Sequence, residues 1–179
     1  MIESPASHAQ SQGKTEDNMN SADHSGGCQC GTVRFRVHGT PQRASVCYCR
    51  MCQKASASFA FALLDTRGFE VEWTRGSLSW FQSSNVARRG FCQTCGTPLA
   101  YEADGLALSV LAFDEPHLFA PQKAYGLEGK LAFCDAVPTL PGCETMDEPE
   151  AQKFFANMVS YQHPDFDTPD WPPPPPAER

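Results

Sequence analysis

Nine cysteines stand in this 179-residue chain, and seven of them crowd into three short stretches: "CQCG" at Cys28–Gly31, "CYCRMC" at Cys47–Cys52 and "FCQTCG" at Phe91–Gly96. Thiols so close in sequence close no disulfide loop of useful length, and short loops contribute least to stability. The odd total also fits a closed disulfide framework badly. The N-terminal stretch through Gly27 has neither the basic n-region nor the apolar h-region of a secretory signal. A reducing cytoplasm is therefore the expected compartment, where thiol clusters hold metal or do chemistry. Zinc takes thiolates at about 2.3 Å in a tetrahedron, and Cys-x-x-Cys delivers two from one tight turn. Iron suits four thiolates as well.

The glycines divide the seven. Gly31 follows Cys30 and Gly96 follows Cys95, whereas Gln53 follows Cys52. Glycine after the second ligand lets the backbone take a positive φ and turn its N–H groups toward the sulfurs. Cys28, Cys30, Cys92 and Cys95 are thus expected to form one four-thiolate site, leaving Cys47, Cys49 and Cys52 as a set of three. Four protein ligands mark a structural zinc, and three with an open position mark a catalytic one. Three thiolates on a dication leave a net charge of −1. Such a centre is a weak generator of hydroxide, and it suits binding an exogenous thiol as a nucleophilic thiolate. Cys134 and Cys143 lie outside the clusters, each expected as a small buried hydrophobe, with completion of the three-thiolate site as the alternative.

Around these ligands the chain reads as mostly β. "TVRFRV" at Thr32–Val37 alternates inward Val33, Phe35 and Val37 with outward Thr32, Arg34 and Arg36. "FEVEW" at Phe69–Trp73 and "LALSV" at Leu106–Val110 alternate likewise, while "SLSWF" at Ser77–Phe81 and "KLAF" at Lys130–Phe133 are weaker strand candidates. Residues 1–25 are polar and expected to be disordered; this places His24 in a disordered head. Residues 26–145 form the β domain and 146–162 a C-terminal helix. In that helix Ala151, Phe154, Phe155, Met158 and Val159 make one apolar stripe, with Asp147 and Glu150 as a capping box and Pro149 in the first turn. The stripe is expected to dock on the sheet, with a homo-oligomer contact as the alternative. Residues 163–179 read as an extended Pro-rich tail, in which Trp171 could alternatively present a ligand to an aromatic groove.

The net charge of −7 gives no long-range attraction for phosphate backbones or anionic membranes, so neither nucleic acid nor membrane is an expected partner.

In order, spacing and flanking residues, "GGCQCGTVRFRV", "CYCRMCQKASAS", "ARRGFCQTCGTPL" and "FDEPHLFAP" together resemble the glutathione-dependent formaldehyde-activating enzyme family, which includes the centromere protein V-like proteins. The resemblance implies an Mss4-like β-tent of folded antiparallel sheets with zinc knuckles. It implies two zincs per chain: a structural one on Cys28, Cys30, Cys92 and Cys95, and a catalytic one on Cys47, Cys49 and Cys52. The implied reaction is that of a carbon–sulfur lyase, reversibly condensing glutathione with formaldehyde. The family pattern Cys-His-Cys-x-x-Cys is broken here by Tyr48, a phenol with a pKa near 10 and a poorer proton relay than histidine. Tyr48 is nevertheless the candidate acid, and another small aldehyde or thiol adduct is the alternative substrate.

Glutathione carries two carboxylates, so its site needs cations. Arg50 and Lys54, beside the three-cysteine loop, and Arg88 with Arg89, before the last knuckle, are the candidates to bind a carboxylate or stabilise thiolates. Phe59 and Phe61 are expected in the core. The competing readings are a non-catalytic zinc-stabilised binding module, which would want a basic surface, and a thiol-based zinc or redox sensor.

Overall fold

The structure, a computed structural model, describes residues 22–171. Ten strands form two sheets. The first is three-stranded, in the order β1 (Asp23–Gly27), β2 (Arg34–His38), β5 (Glu70–Arg75). The second has seven strands in the order β10 (Lys123–Tyr125), β3 (Arg43–Cys47), β4 (Phe61–Asp65), β9 (Gly105–Ser109), β8 (Pro98–Ala103), β7 (Arg88–Phe91), β6 (Ser79–Gln82). Every pairing is antiparallel except β10 on β3. Two helices complete the secondary structure of the described residues, α1 (Arg50–Ser56) and α2 (Pro149–Phe155), with several 3₁₀ turns. The mostly β architecture implied by the sequence is therefore the observed one.

The alternation read over Thr32–Val37 puts Val33, Phe35 and Val37 in the core, where Leu64, Leu99, Leu108 and Phe113 join them. Phe35 meets Phe113 edge-to-face at 5.0 Å between ring centres, and Gly26 bridges to Phe113. A side chain on Gly26 would collide with Phe35 and the Ala112 carbonyl, so a glycine here lets the small sheet close onto the segment after β9.

Several expectations are corrected. Arg34 does not face solvent: only 2% exposed, it donates from Nη1 to Asp114 at 2.8 Å and from Nη2 to Asp167 at 2.7 Å. His24 is not in a disordered head; it sits in β1, buried, with Nε2 3.0 Å from the Thr40 hydroxyl and its ring against Phe119. Residues 1–21 of that head lie outside the described residues. "KLAF" forms no strand but enters a 3₁₀ turn at Ala132–Asp135. α2 spans seven residues rather than seventeen, and its cap residue Glu148 makes no side-chain cap hydrogen bond. The apolar stripe is not docked: Phe154 is 67% exposed, and Met158 and Val159 also face solvent. A 3.6-residue period states what a helix could bury, and this short helix packs on the Thr145–Asp147 turn instead. Phe61 is buried as expected, whereas Phe59 is exposed, and Cys143 is exposed rather than buried.

The segment after α2 is not a free tail. His163 is buried, its backbone N–H donating to the Gln29 carbonyl at 2.7 Å. Trp171 packs on His163 at 4.7 Å and donates its indole N–H to the Cys30 carbonyl. With Asp167 tied to Arg34 and Arg36, residues 163–171 form a strap across the first cysteine turn. Trp171 thus packs within its own chain rather than offering itself to an outside groove. Pro172–Pro176 lie outside the described residues.

Candidate metal centres and adjoining cavity

Two thiol clusters emerge from the fold. The sulfurs of Cys28, Cys30, Cys92 and Cys95 lie within 4.8 Å of one another, and so do those of Cys47, Cys49 and Cys52.

The quartet is built from two matching turns. One leads from β1 toward β2, where Gly31 has φ +73° and its N–H returns to the Cys28 carbonyl at 3.0 Å. The other follows β7, where Gly96 has φ +79° and donates to the Cys92 carbonyl at 2.9 Å. Both turns continue into threonine, a feature the sequence reading missed. The hydroxyls of Thr32 and Thr97 lie 3.2 and 3.1 Å from the Cys30 and Cys95 sulfurs. "CQCGT" and "CQTCGT", set side by side, were the available signal.

The donor set fits a tetrahedral thiolate-bound ion. Sulfurs about 2.3 Å from a common centre stand about 3.8 Å apart, and Cys28–Cys30 and Cys30–Cys92 measure 3.6 and 3.8 Å. Without a cation the cluster is electrostatically uneven. Burial pushes the Cys28 thiol up, although the Val33 N–H opposes it. At Cys95, burial is outweighed by the Thr97 hydroxyl and backbone N–H groups, which hold the thiol down at about 6. A divalent ion would remove the conflict by taking all four as thiolates.

The trio sits where β3 runs into α1. Cys47 ends the strand, Cys49 caps the helix and Cys52 lies buried in its first turn. Burial drives the Cys47 thiol up to about 12. Cys49 is also raised by burial, but the Cys52 N–H and the neighbouring thiols pull it below its usual value. No fourth His, Cys, Asp or Glu joins the cluster among the described residues; neither Cys134 nor Cys143 completes it. The loop is latched by Gln53, whose buried side-chain amide donates to the Tyr48 carbonyl at 2.8 Å and the Gly129 carbonyl at 2.9 Å.

A cavity of about 500 Å³ opens beside the trio, lined by Cys47, Cys49 and Cys52 together with Leu63, Tyr101 and Arg89. Arg89 is only 8% exposed, its Nη2 lies 3.5 Å from the Cys52 sulfur, and its guanidinium stacks over Tyr101 at 5.1 Å.

The other candidate cations stand elsewhere. Arg50 is exposed and donates to Gln53 at 3.2 Å; Lys54 is exposed. Arg88 is occupied by Glu102 and lies over Trp80 at 4.1 Å. None of the three lines the cavity, and neither does Tyr48, whose ring faces the Lys130 ammonium at 5.6 Å. The tyrosines that do line it are Tyr101 and Tyr125, contributed by β8 and β10. Strand parity explains the exchange: Cys47 and Cys49 face the cavity, so the residue between them turns away.

The family described as "Glutathione-dependent formaldehyde-activating enzyme" matches residues 23–127 of this chain. All seven clustered cysteines fall inside the match, and the strap falls outside it. Among solved structures, a Rhodobacter sphaeroides protein determined as a structural genomics target is 25% identical, covering 49% of this chain and 85% of that one, with a TM-score of 0.39. No helix among the described residues is long and apolar enough to cross a membrane.

Proposed function

The chain belongs to the glutathione-dependent formaldehyde-activating enzyme family, and from that premise we propose that it is a cytoplasmic zinc-dependent carbon–sulfur lyase that reversibly joins glutathione, or a similar thiol, to formaldehyde or another small aldehyde. The observation that carries the reading is the three-thiol set without a fourth protein donor among the described residues, at the wall of a 500 Å³ cavity. The quartet would hold a structural zinc, and the trio would hold the working one.

A zinc ion on Cys47, Cys49 and Cys52 would supply an open coordination position and lower the pKa of an incoming thiol. The chain's own residues supply the rest. Gln53 fixes the loop that presents the three sulfurs. Arg89 sets a permanent positive charge against Cys52, offsetting the excess of negative charge that three thiolates create. Leu63, Leu106 and Ala107 make much of the cavity wall apolar.

Exchange NMR on formaldehyde, glutathione and protein tests the proposal, because the adduct also forms unaided. Interconversion faster than the protein-free blank supports it, and a rate equal to the blank rejects it.

A further inference from the structure

Register lays part of the cavity wall as one row across four strands. Asp65 in β4 faces Ala107 in β9, Ala107 faces Tyr101 in β8, and Tyr101 faces Arg89 in β7. All four line the cavity. Charge therefore stands only at the two ends of the row, with a methyl group and an aromatic ring between them. Leu63, two positions before Asp65 and on the same strand face, widens the apolar part, and Leu106 and Val86 add to it.

Neither charged end is free to take a carboxylate. At one, Arg67 grips Asp65 with Nε and Nη2, at 3.1 and 2.7 Å, while its Nη1 reaches Asp104 at 3.2 Å. Arg43 adds its Nη2 3.3 Å from the same Asp65 carboxylate. At the other end, Arg89 has Nη2 3.5 Å from the Cys52 sulfur, and its Nη1 is buried away from the cavity. Among the described residues no further Lys, Arg or His lines this space. A tripeptide thiol with two carboxylates would meet two arginines already committed, and two carboxylates of its own sign in Asp65 and Asp104. Burying a carboxylate without a partner is costly.

Volume points the same way. Formaldehyde has two heavy atoms, and a water takes about 30 Å³ of liquid, so the aldehyde fills a small part of the 500 Å³. The remainder is room for the body of the thiol. Val86 and Met51 stand exposed on its wall, and an apolar partner gains by covering them. Resting on the lyase reading above, we infer that the thiol this cavity favours has an uncharged, apolar body, and that glutathione is a weaker substrate accepted with a raised KM.

Exchange NMR on the zinc-loaded full chain tests the inference, with formaldehyde and one of three thiols: glutathione, its dimethyl ester, or 2-phenylethanethiol, each against its own protein-free blank. All three should exceed their blanks. The value of kcat/KM should rise by about 10-fold or more from glutathione to 2-phenylethanethiol, as burial of an apolar ring requires, with the ester between them. Val86→Lys places a cation on the exposed wall. It should keep two zincs by native mass spectrometry, lower the glutathione KM by about threefold, the scale of an exposed ion pair, and raise that of 2-phenylethanethiol. Glutathione equal to or better than the other two thiols would overturn the inference while leaving the lyase reading in place. Both KM values unchanged in Val86→Lys would overturn it as well, since the thiol body would then not touch this wall. Rates equal to the blank for all three thiols would instead sink the lyase reading, and the inference with it.

Discussion

Trp171 donates its indole N–H to the carbonyl of Cys30, 141 positions earlier in the chain. The contact places an aromatic lid on the turn that supplies half of the quartet, and Gly31 has no side chain because Trp171 and His163 occupy that space. Trp171→Ala should leave the trio untouched and expose the quartet. Chelator competition should then strip the first zinc from the quartet at least several times faster than in wild type, with thermal stability lowered by about 1–2 kcal/mol for a half-buried aromatic. Equal release rates in the two proteins would deny the strap any protective role.

The strap should loosen with acid in two stages. Burial holds His163 below its ordinary 6.5, aided by the Arg34 and Arg75 charges. The folded strap thus binds fewer protons than the released one, and its stability falls as pH drops below about 6.5. For Asp167, burial pushes up, but Arg34 and Arg36 outweigh it and hold the carboxyl below 3.8. Its contribution is complete above that value and is lost as pH falls through the lowered one. Limited proteolysis across pH 7 to 3 should show cleavage near residues 156–162 rising in both ranges, and His163→Gln should abolish the first rise.

Arg34 and Asp114 form a buried pair whose side chains are 3% and 9% exposed. Arg34→Met should destabilise the protein by about 3–5 kcal/mol, because it strands a carboxylate. Arg34→Met combined with Asp114→Leu should recover most of that loss in denaturant titrations. A double variant no more stable than the single one would show that the arginine's packing matters more than its charge.

The two thiol clusters should respond differently to loss of one sulfur. Cys92 is fully buried among core residues, so Cys92→Ser should unfold or aggregate the chain, since binding of the structural metal and folding are coupled. Cys49 is half-buried at the cavity, so Cys49→Ser should stay folded by circular dichroism while losing activity. Collapse of both would contradict the division of labour.

Gln53→Leu should remove the latch on the trio loop without touching a sulfur. Two partly buried carbonyls lose their donor, and the trio's zinc affinity should fall by about 10- to 100-fold, the range for lost ligand-orienting partners. Zinc competition against a calibrated chelator measures it.

How much of this was written in the sequence differs from residue to residue. The partition of thiols was legible because Gly31 and Gly96 encode a backbone sign that few other residues accept, and the structure brings those four sulfurs together. Val33, Phe35 and Val37 were legible from alternation alone. Arg34 was not, because period-2 logic assigns polar residues to solvent and cannot see that Asp114 and Asp167 arrive from 80 and 133 positions away. Arg88 and Arg89 are adjacent and chemically identical in the sequence, yet strand parity in β7 sends one to Glu102 and the other into the cavity. Which is which depends on a register that composition does not encode.

The "CYCRMC" loop rests on a floor laid 77 positions downstream, where a Cβ on Gly126 would stand 2.6 Å from the Cys49 nitrogen. A Cβ on Gly129 would stand 2.9 Å from the Tyr48 carbonyl oxygen, and the Tyr125 carbonyl takes the Tyr48 N–H. The loop is therefore no portable cassette. A synthetic hexapeptide, or a graft into another scaffold, would carry the sulfurs but leave behind the ground they stand on.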